Sequence, residues 1–169
     1  MKSSKRIFIG LGTNLGDRAK NLANAISQIE IIVGKSVAQS SVYISAPLGF
    51  KAETDFFNQV IAIESDLEPR NLLAKLKLIE AQMGRIKTKE SGYESRIIDL
   101  DIIDYKGHVY HFDDLAIPHA QMHLRDFVLL PLAEVEPDWI HPVLGQSVSQ
   151  LIQELDTSQK LEKIGVAND

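Results

Sequence analysis

The chain has 169 residues, 44% of them hydrophobic, with a formal net charge of -5 at pH 7 and no cysteine. This length and composition fit one globular domain, residues 1–169, with a core at about 6–155. The acidic balance argues against a general nucleic-acid binder, and the absence of cysteine excludes a disulfide framework, a thiolate nucleophile and a zinc–cysteine cluster.

The first apolar run, residues 7–11, follows a basic segment at residues 2–6. It is too short for a signal-peptide core or a membrane span, so we expect a cytoplasmic protein without membrane contact. The sequence predicts a first strand at residues 7–12. Leu15-Gly16-Asp17 then offers a turn and a cap for a helix that continues to about Val33.

Two strands and a second helix follow. The strands are predicted at residues 37–45 and 57–64, separated by the turn Ala46-Pro47-Leu48-Gly49 and a loop. Glu68-Pro69 begins the helix, which ends near Gly84. A further strand contains Asp99.

This βαββαβ order is typical of a ferredoxin-like α+β sandwich, with helices on one face of an antiparallel sheet. The C-terminal extension is predicted to contain a hairpin and short helices around residues 127–134 and 147–155. Polar residues after Gln159 are expected to fray.

The stretch Arg96-Ile97-Ile98-Asp99-Leu100-Asp101-Ile102-Ile103 places two carboxylates two residues apart in a strand. Alternation puts Asp99 and Asp101 on one face and the neighbouring apolar side chains on the other. Such a pair suits Mg²⁺, which is often held by one or two carboxylates together with nucleotide phosphates. The alternative is an acidic solvent face on an edge strand.

Residues 85–96 form a basic loop that joins the second helix to this strand. Over a metal–triphosphate it could act as a lid that neutralises charge during transfer. The alternative is a solvated surface loop. Because no glycine-rich phosphate loop occurs, side chains would have to hold any phosphates.

A small aromatic pocket is predicted from the turn at residues 46–49 and from Asp55-Phe56-Phe57-Asn58. Asn58 can donate to and accept from a heterocycle, while Phe57 or Phe127 could stack on its face. Core packing of the rings and a turn role for Asn58 are the alternatives. His119 and Arg125 would bind phosphate only if the fold brings them beside the acidic strand.

Several short motifs occur in one order along the chain. They are Gly12-Thr13-Asn14-Leu15-Gly16-Asp17, Ala46-Pro47-Leu48-Gly49, Phe57-Asn58, Glu80 through Gly84-Arg85, Arg96 with Asp99-Leu100-Asp101, and Pro118-His119 through Phe127. Over about residues 7–152, this arrangement resembles the 6-hydroxymethyl-7,8-dihydropterin pyrophosphokinase family of folate biosynthesis.

The resemblance implies an enzyme that transfers pyrophosphate from ATP to hydroxymethyl dihydropterin and releases AMP, with two Mg²⁺ ions held by Asp99 and Asp101. We also expect a monomer. Arg85 and Arg96 would join the two aspartates in catalysis. The implied ATP contacts are Lys77, Glu80, Arg85, Lys87, Arg96, Ile102, His119 and Arg125. The implied pterin contacts are Ser45, Pro47, Leu48, Gly49, Asn58, Tyr93 and Phe127.

The loop departs from the family pattern. Tyr93-Glu94-Ser95-Arg96 stands where the family usually has Trp-Gly-Pro-Arg, and Lys87 replaces an arginine. Two other functions therefore stay open. One is a non-catalytic domain that senses pterin or nucleotide, and the other is a metal-dependent nuclease, which the negative charge disfavours.

Overall fold

A computed structural model describes residues 6–46, 55–84, 97–155 and 161–166. The strands are β1 (Ile7–Thr13), β2 (Lys35–Gln39), β3 (Ser41–Ser45), β4 (Phe56–Glu64), β5 (Asp99–Tyr105), β6 (Tyr110–Phe112), β7 (Leu115–Ile117) and β8 (Glu162–Val166). The helices are α1 (Arg18–Ile32), α2 (Pro69–Gln82), α3 (Asp126–Val135) and α4 (Val148–Gln153), with a 3-10 turn at Met122–Leu124. None of the described helices has the length and apolar character needed to cross a membrane.

The main sheet has the strand order β5-β1-β4-β3-β8, and β2 also pairs with β4. All of these pairings are antiparallel. The predicted mixed fold of helices and an antiparallel sheet is therefore confirmed. The predicted hairpin and the two short C-terminal helices are also present, as β6–β7, α3 and α4.

The strand predicted at residues 37–45 is interrupted at Ser40. The Ser40 hydroxyl accepts a hydrogen bond from the backbone N–H of Val60 at 3.0 Å, and the backbone N–H of Ser40 donates to the Val60 carbonyl at 2.9 Å. The serine side chain thus replaces one backbone partner in the ladder. As a result both β2 and β3 pair with β4.

Helices α1 and α2 pack on one face of the sheet. Asp17 caps α1, as predicted, by accepting a hydrogen bond from the backbone N–H of Lys20 at 3.1 Å, and Pro69 is the first residue of α2. Their buried side chains recur at helical spacing and meet the odd-numbered residues of β1. This layer includes Leu22, Ile26, Ile29, Leu72, Leu76, Ile79, Ile7, Ile9 and Leu11.

The predicted placement of the core helices on one face holds for α1 and α2, whereas α3 and α4 of the C-terminal extension cover the opposite face. Val128, Leu129 and Leu132 of α3 pack there with Phe8, Val60 and Ile103 of the sheet. The cause is visible in β1, where consecutive residues Ile7, Phe8 and Ile9 are all fully buried. A strand that is apolar on both faces needs cover on both.

The prediction that the chain frays after Gln159 is wrong for residues 162–166, which form β8 along β3. Glu162, Lys163 and Ile164 are exposed, so this strand carries no alternating hydrophobic signal. Backbone hydrogen bonds to β3 supply its pairing instead.

Candidate active site

A cavity of about 260 Å³ lies on the face of the sheet covered by α3. Strands β1, β3, β4 and β5 form its floor, and the segment 119–128 contributes a wall. The predicted site residues that line it are Ser45, Asn58, Asp99, Asp101, His119, Arg125 and Phe127. The fold therefore gathers residues separated by as many as 82 positions in the chain, from Ser45 to Phe127.

Asp99 and Asp101 share the cavity face of β5, as alternation predicts. Leu100 and Ile102 point the other way and are 4% and 3% exposed in the layer beneath α1 and α2. β5 is an end strand of the sheet, but its two carboxylates line a cavity and are only partly exposed.

Two glycines of β1 lie between the acidic strand and the rest of the floor. Gly12 pairs with Asp99, and Gly10 pairs with Asp101. A Cβ atom on Gly12 would lie 3.6 Å from Asn58 Oδ1, and one on Gly10 would lie 3.1 Å from Ile103 Cδ1. These glycines were not among the residues predicted from the sequence to line the cavity. Their alternate spacing inside a strand was the available signal, since glycine there often marks a close approach.

Asn58 has a fixed orientation. Its Nδ2 donates hydrogen bonds to the Tyr43 carbonyl at 3.2 Å and to the Ser45 hydroxyl at 2.8 Å. Its Oδ1 therefore lies on the side of Gly12, at the cavity floor. This arrangement presents a hydrogen-bond acceptor to a flat ligand.

The aromatic walls differ in part from the prediction. Phe127 lines the cavity, but Phe57 lies on the opposite face, where the Arg18 guanidinium sits 4.0 Å from its ring centroid. Phe56 lines the cavity in its place. Alternation explains this exchange, because Phe56 shares a strand face with Asn58 and Phe57 does not.

His119 lies in the same cavity as both aspartates. The fold thus brings it beside the acidic strand, as phosphate binding by this residue would require. Its backbone N–H donates to the Ile103 carbonyl at 3.0 Å, and its Nδ1 accepts from the Gln121 N–H at 3.2 Å. Burial, followed by the positive charge of Arg125, lowers the pKa of His119, whereas Asp99 opposes that shift. The lowered pKa favours the neutral ring. Because Nδ1 accepts a hydrogen bond, the neutral ring carries its proton on Nε2 and can donate a hydrogen bond to an anionic ligand.

Three predicted ATP contacts do not line the cavity. Glu80 is 4% exposed, Ile102 lies in the core beneath α1 and α2, and Lys77 is exposed on α2. The remaining predicted site residues lie outside the described residues. These are Pro47, Leu48, Gly49, Arg85, Lys87, Tyr93 and Arg96.

The acidic pair suits a hard cation. Within residues 6–46, 55–84, 97–155 and 161–166, no group of three or more His, Cys, Asp or Glu side chains forms a complete protein cage for a metal. Asp99 and Asp101 offer carboxylate oxygens on one side of an open cavity. Mg²⁺ fits that donor set, because it usually takes one or two carboxylates and completes its shell with phosphates and water.

The sequence also matches a known family. A sequence model of 7,8-dihydro-6-hydroxymethylpterin-pyrophosphokinase (HPPK) matches residues 8–137, which include residues 8–13 of β1 and every described cavity residue. The chain belongs to the HPPK family.

Individual relatives of this HPPK-family chain differ in length. The 2-amino-4-hydroxy-6-hydroxymethyldihydropteridine pyrophosphokinase of Methylorubrum extorquens is 36% identical, and the alignment covers 90% of this chain and 95% of that protein. The enzyme of the same name from Synechocystis is 39% identical, and the alignment covers 88% of this chain and 75% of that protein. Folic acid synthesis protein FOL1 of Dictyostelium discoideum is 36% identical, with 94% of this chain but only 24% of that protein covered.

Solved structures of HPPK-DHPS proteins share the fold. One, in complex with substrates, has a TM-score of 0.70 at 16% identity and covers 88% of this chain and 43% of that chain. The Plasmodium falciparum wild-type protein with pteroate has a TM-score of 0.71 at 16% identity, with 88% and 44% covered. The chain thus spans less than half of these fused proteins.

Proposed function

We propose that this protein transfers pyrophosphate from ATP to the hydroxymethyl group of 6-hydroxymethyl-7,8-dihydropterin and releases AMP. The observation that carries the proposal is the register at Gly12, which pairs with Asp99 on one side and Asn58 on the other. Neighbouring strands lie about 4.8 Å apart, so the two Cα atoms are about 10 Å apart across a side-chain-free position. A metal–phosphate end and a heterocycle end therefore fit within one cavity.

The heterocycle would lie on the Asn58 side. Its ring N–H or amino groups would donate to Asn58 Oδ1, which the bonds to Tyr43 and Ser45 direct towards the floor. Phe56 and Phe127 would cover its faces, because aromatic rings pack favourably on a flat π-system. The pterin roles of Pro47, Leu48, Gly49 and Tyr93 remain predictions from the sequence.

The triphosphate would lie on the side of the aspartates. We propose that Asp99 and Asp101 hold two Mg²⁺ ions, which would supply charge neutralisation along the phosphates. His119 Nε2–H and the Arg125 guanidinium line the same cavity and would bind phosphate oxygens. The ATP contacts of Lys77, Glu80, Lys87 and Ile102 remain predictions, as do the catalytic roles of Arg85 and Arg96.

In the proposed reaction the pterin hydroxyl oxygen forms a bond to the β-phosphorus of ATP. The bond between that phosphorus and the oxygen bridging it to the α-phosphate breaks, AMP leaves, and the hydroxyl proton passes to solvent. This chemistry needs positioning and charge stabilisation more than a covalent nucleophile. A rigid floor that holds both substrate ends fits that requirement.

We also propose that β1, α1, the β2–β3 pair, β4, α2 and β5 form a ferredoxin-like core, with α3, α4 and β8 added to it. The antiparallel order β5-β1-β4 followed by β2 and β3 supports this assignment. The monomeric state and the cytoplasmic location remain predictions.

The direct test is to incubate the purified protein with ATP, Mg²⁺ and 6-hydroxymethyl-7,8-dihydropterin and to separate the nucleotides. We expect equimolar AMP and pyrophosphorylated pterin, and no AMP when the pterin is omitted. Pterin binding without AMP formation would support the sensing alternative. Cleavage of DNA or RNA in the absence of pterin would support the nuclease alternative.

A further inference from the structure

Glu134 of α3 binds two residues of β3 that lie outside the cavity. Its Oε2 accepts hydrogen bonds from the Ser41 backbone N–H at 3.2 Å and from the Ser41 hydroxyl at 2.9 Å. Its Oε1 accepts a hydrogen bond from the Tyr43 hydroxyl. Lys163 of β8 adds an ion pair at 3.6 Å.

The carboxylate is ionised in this environment. Burial by itself would raise the pKa of Glu134, but the hydrogen bonds from Tyr43 and Ser41 and the charge of Lys163 together lower it. Hydrogen bonds to an ionised acceptor are about twice as strong as those between neutral groups. The contact between α3 and β3 is therefore a strong local restraint.

The face of α3 that carries Glu134 and the face of β3 that carries Ser41 and Tyr43 both extend to the cavity. Phe127 precedes Glu134 by seven residues, which is about two helical turns, so both side chains lie on one face of α3. Ser41, Tyr43 and Ser45 likewise share one face of β3. Glu134 joins the two elements at one end, and Phe127 and Ser45 line the cavity at the other.

Tyr43 extends this restraint to the cavity floor. Its hydroxyl binds Glu134, and its carbonyl accepts a hydrogen bond from Asn58 Nδ2 at 3.2 Å. Asn58 in turn donates to Ser45. A displacement of β3 relative to α3 would thus change both the orientation of Asn58 and its distance from Phe127.

We propose that Glu134 is a positioning residue that sets the spacing between α3 and β3 and so holds the heterocycle end of the cavity in shape. This inference rests on the proposed function, because it assigns the pterin to that end. Glu134 acts through Tyr43, Ser41 and the helix, and it does not touch the substrate. Its loss should weaken pterin binding more than nucleotide binding, since the aspartates lie on β5 at the other end and, of the described nucleotide contacts, only Arg125 adjoins α3.

The experiment measures the dissociation constants of 6-hydroxymethyl-7,8-dihydropterin and of the Mg²⁺ complex of α,β-methylene-ATP by calorimetry. For Glu134→Ala we expect about tenfold or greater weakening of pterin binding, because the lost hydrogen bonds involve a charged acceptor and one such bond accounts for a change of about that size. Nucleotide binding should weaken clearly less. Glu134→Gln keeps an acceptor oxygen and should restore part of the affinity. Tyr43→Phe should show a smaller loss with the same selectivity.

Glu136→Ala is the matched control. The side chains of Glu136 and Glu134 are each 28% exposed, and Glu136 also has one ion pair, to Arg6 at 3.8 Å. The Glu136→Ala variant should bind both ligands with wild-type affinity. Circular dichroism and thermal denaturation identify the folded variants, and Glu134→Gln and Tyr43→Phe carry the test if Glu134→Ala does not fold.

Wild-type pterin affinity in folded Glu134 variants would overturn the inference. An equal loss of both ligands would also overturn it, because a purely structural role predicts that pattern. Failure of the wild-type protein to bind the pterin would instead contradict the proposed function, and this inference with it.

Discussion

Glu80 accepts a hydrogen bond at 2.8 Å from the backbone N–H of Leu100, the residue between Asp99 and Asp101. β5 is at the end of the sheet, beside β1, so its outer backbone groups have no neighbouring strand among the described residues. Glu80 comes from α2, which packs beneath β5. The buried carboxylate thus binds the start of β5, between the two aspartates, at the strand edge that faces away from β1.

We expect Glu80→Ala to lower the free energy of unfolding by about 1–3 kcal/mol, because it leaves a buried N–H without that acceptor. Turnover should fall and should require more Mg²⁺, since the two aspartates lose a common support. Urea denaturation and magnesium titration of AMP formation measure the two effects. Lys75→Ala, an exposed change on the same helix, is the control. Wild-type magnesium dependence in Glu80→Ala would exclude this support.

Asp99→Ala and Asp101→Ala should each abolish AMP formation while leaving the domain folded. Each change removes a proposed metal ligand and relieves repulsion between neighbouring carboxylates, so the melting temperature should stay the same or rise. Nucleotide separation and thermal denaturation provide the measurements. Asp113→Ala, in the exposed β6–β7 turn, should keep full activity. Near-normal turnover in either cavity variant would refute the metal assignment.

Gly12→Ala should fold normally and lose pterin affinity. The added methyl would sit 3.6 Å from Asn58 Oδ1 and 3.8 Å from Phe56, which are ordinary contact distances, and alanine in place of a strand glycine often stabilises by about 0.5–1 kcal/mol. The same methyl would fill the floor on which the ring is proposed to lie. Calorimetry should show that pterin affinity falls by about tenfold or more. Unchanged pterin affinity would place the ring elsewhere.

Asp104 should make stability depend on pH. Burial raises the pKa of Asp104 from 3.8 to about 6, although a hydrogen bond from the Gly107 N–H opposes the shift. The folded state therefore retains a proton that the unfolded chain releases between about pH 4 and 6. The free energy of unfolding should fall as pH rises through that window, by up to about 3 kcal/mol.

Asp104→Asn should flatten this dependence, because the amide keeps an acceptor oxygen but does not titrate. Urea denaturation at several pH values between about 4 and 7 provides the comparison. The exposed substitution Asp113→Asn should leave the slope unchanged. A wild-type slope in Asp104→Asn would assign the effect to another group.

Local patterns predicted the parts of the site that depend on one element. The alternation of Asp99, Leu100 and Asp101 follows from the geometry of any strand, and the cap at Asp17 follows from the residue type. The same alternation was available for Phe56 and Phe57, but both rings are apolar, so the pattern alone did not decide which one faces the core.

The contacts that support the site join distant parts of the chain. Glu80 and Leu100 are 20 residues apart, and Tyr43 and Glu134 are 91 residues apart. No spacing rule links such pairs, because their approach depends on how helices and strands pack. For the same reason, the cover of α3 over the second face and the pairing of β8 with β3 emerged only from the three-dimensional structure.

The two apolar layers of the sheet have a practical consequence for engineering thermotolerance. The cavity belongs to the layer that contains Val60 and Ile103, whereas Leu22, Ile29 and Leu76 lie in the other layer. Repacking the layer beneath α1 and α2, away from β5, should therefore change the melting temperature with little change in ligand affinity. Repacking the layer beneath α3 would alter heat resistance and substrate selection together.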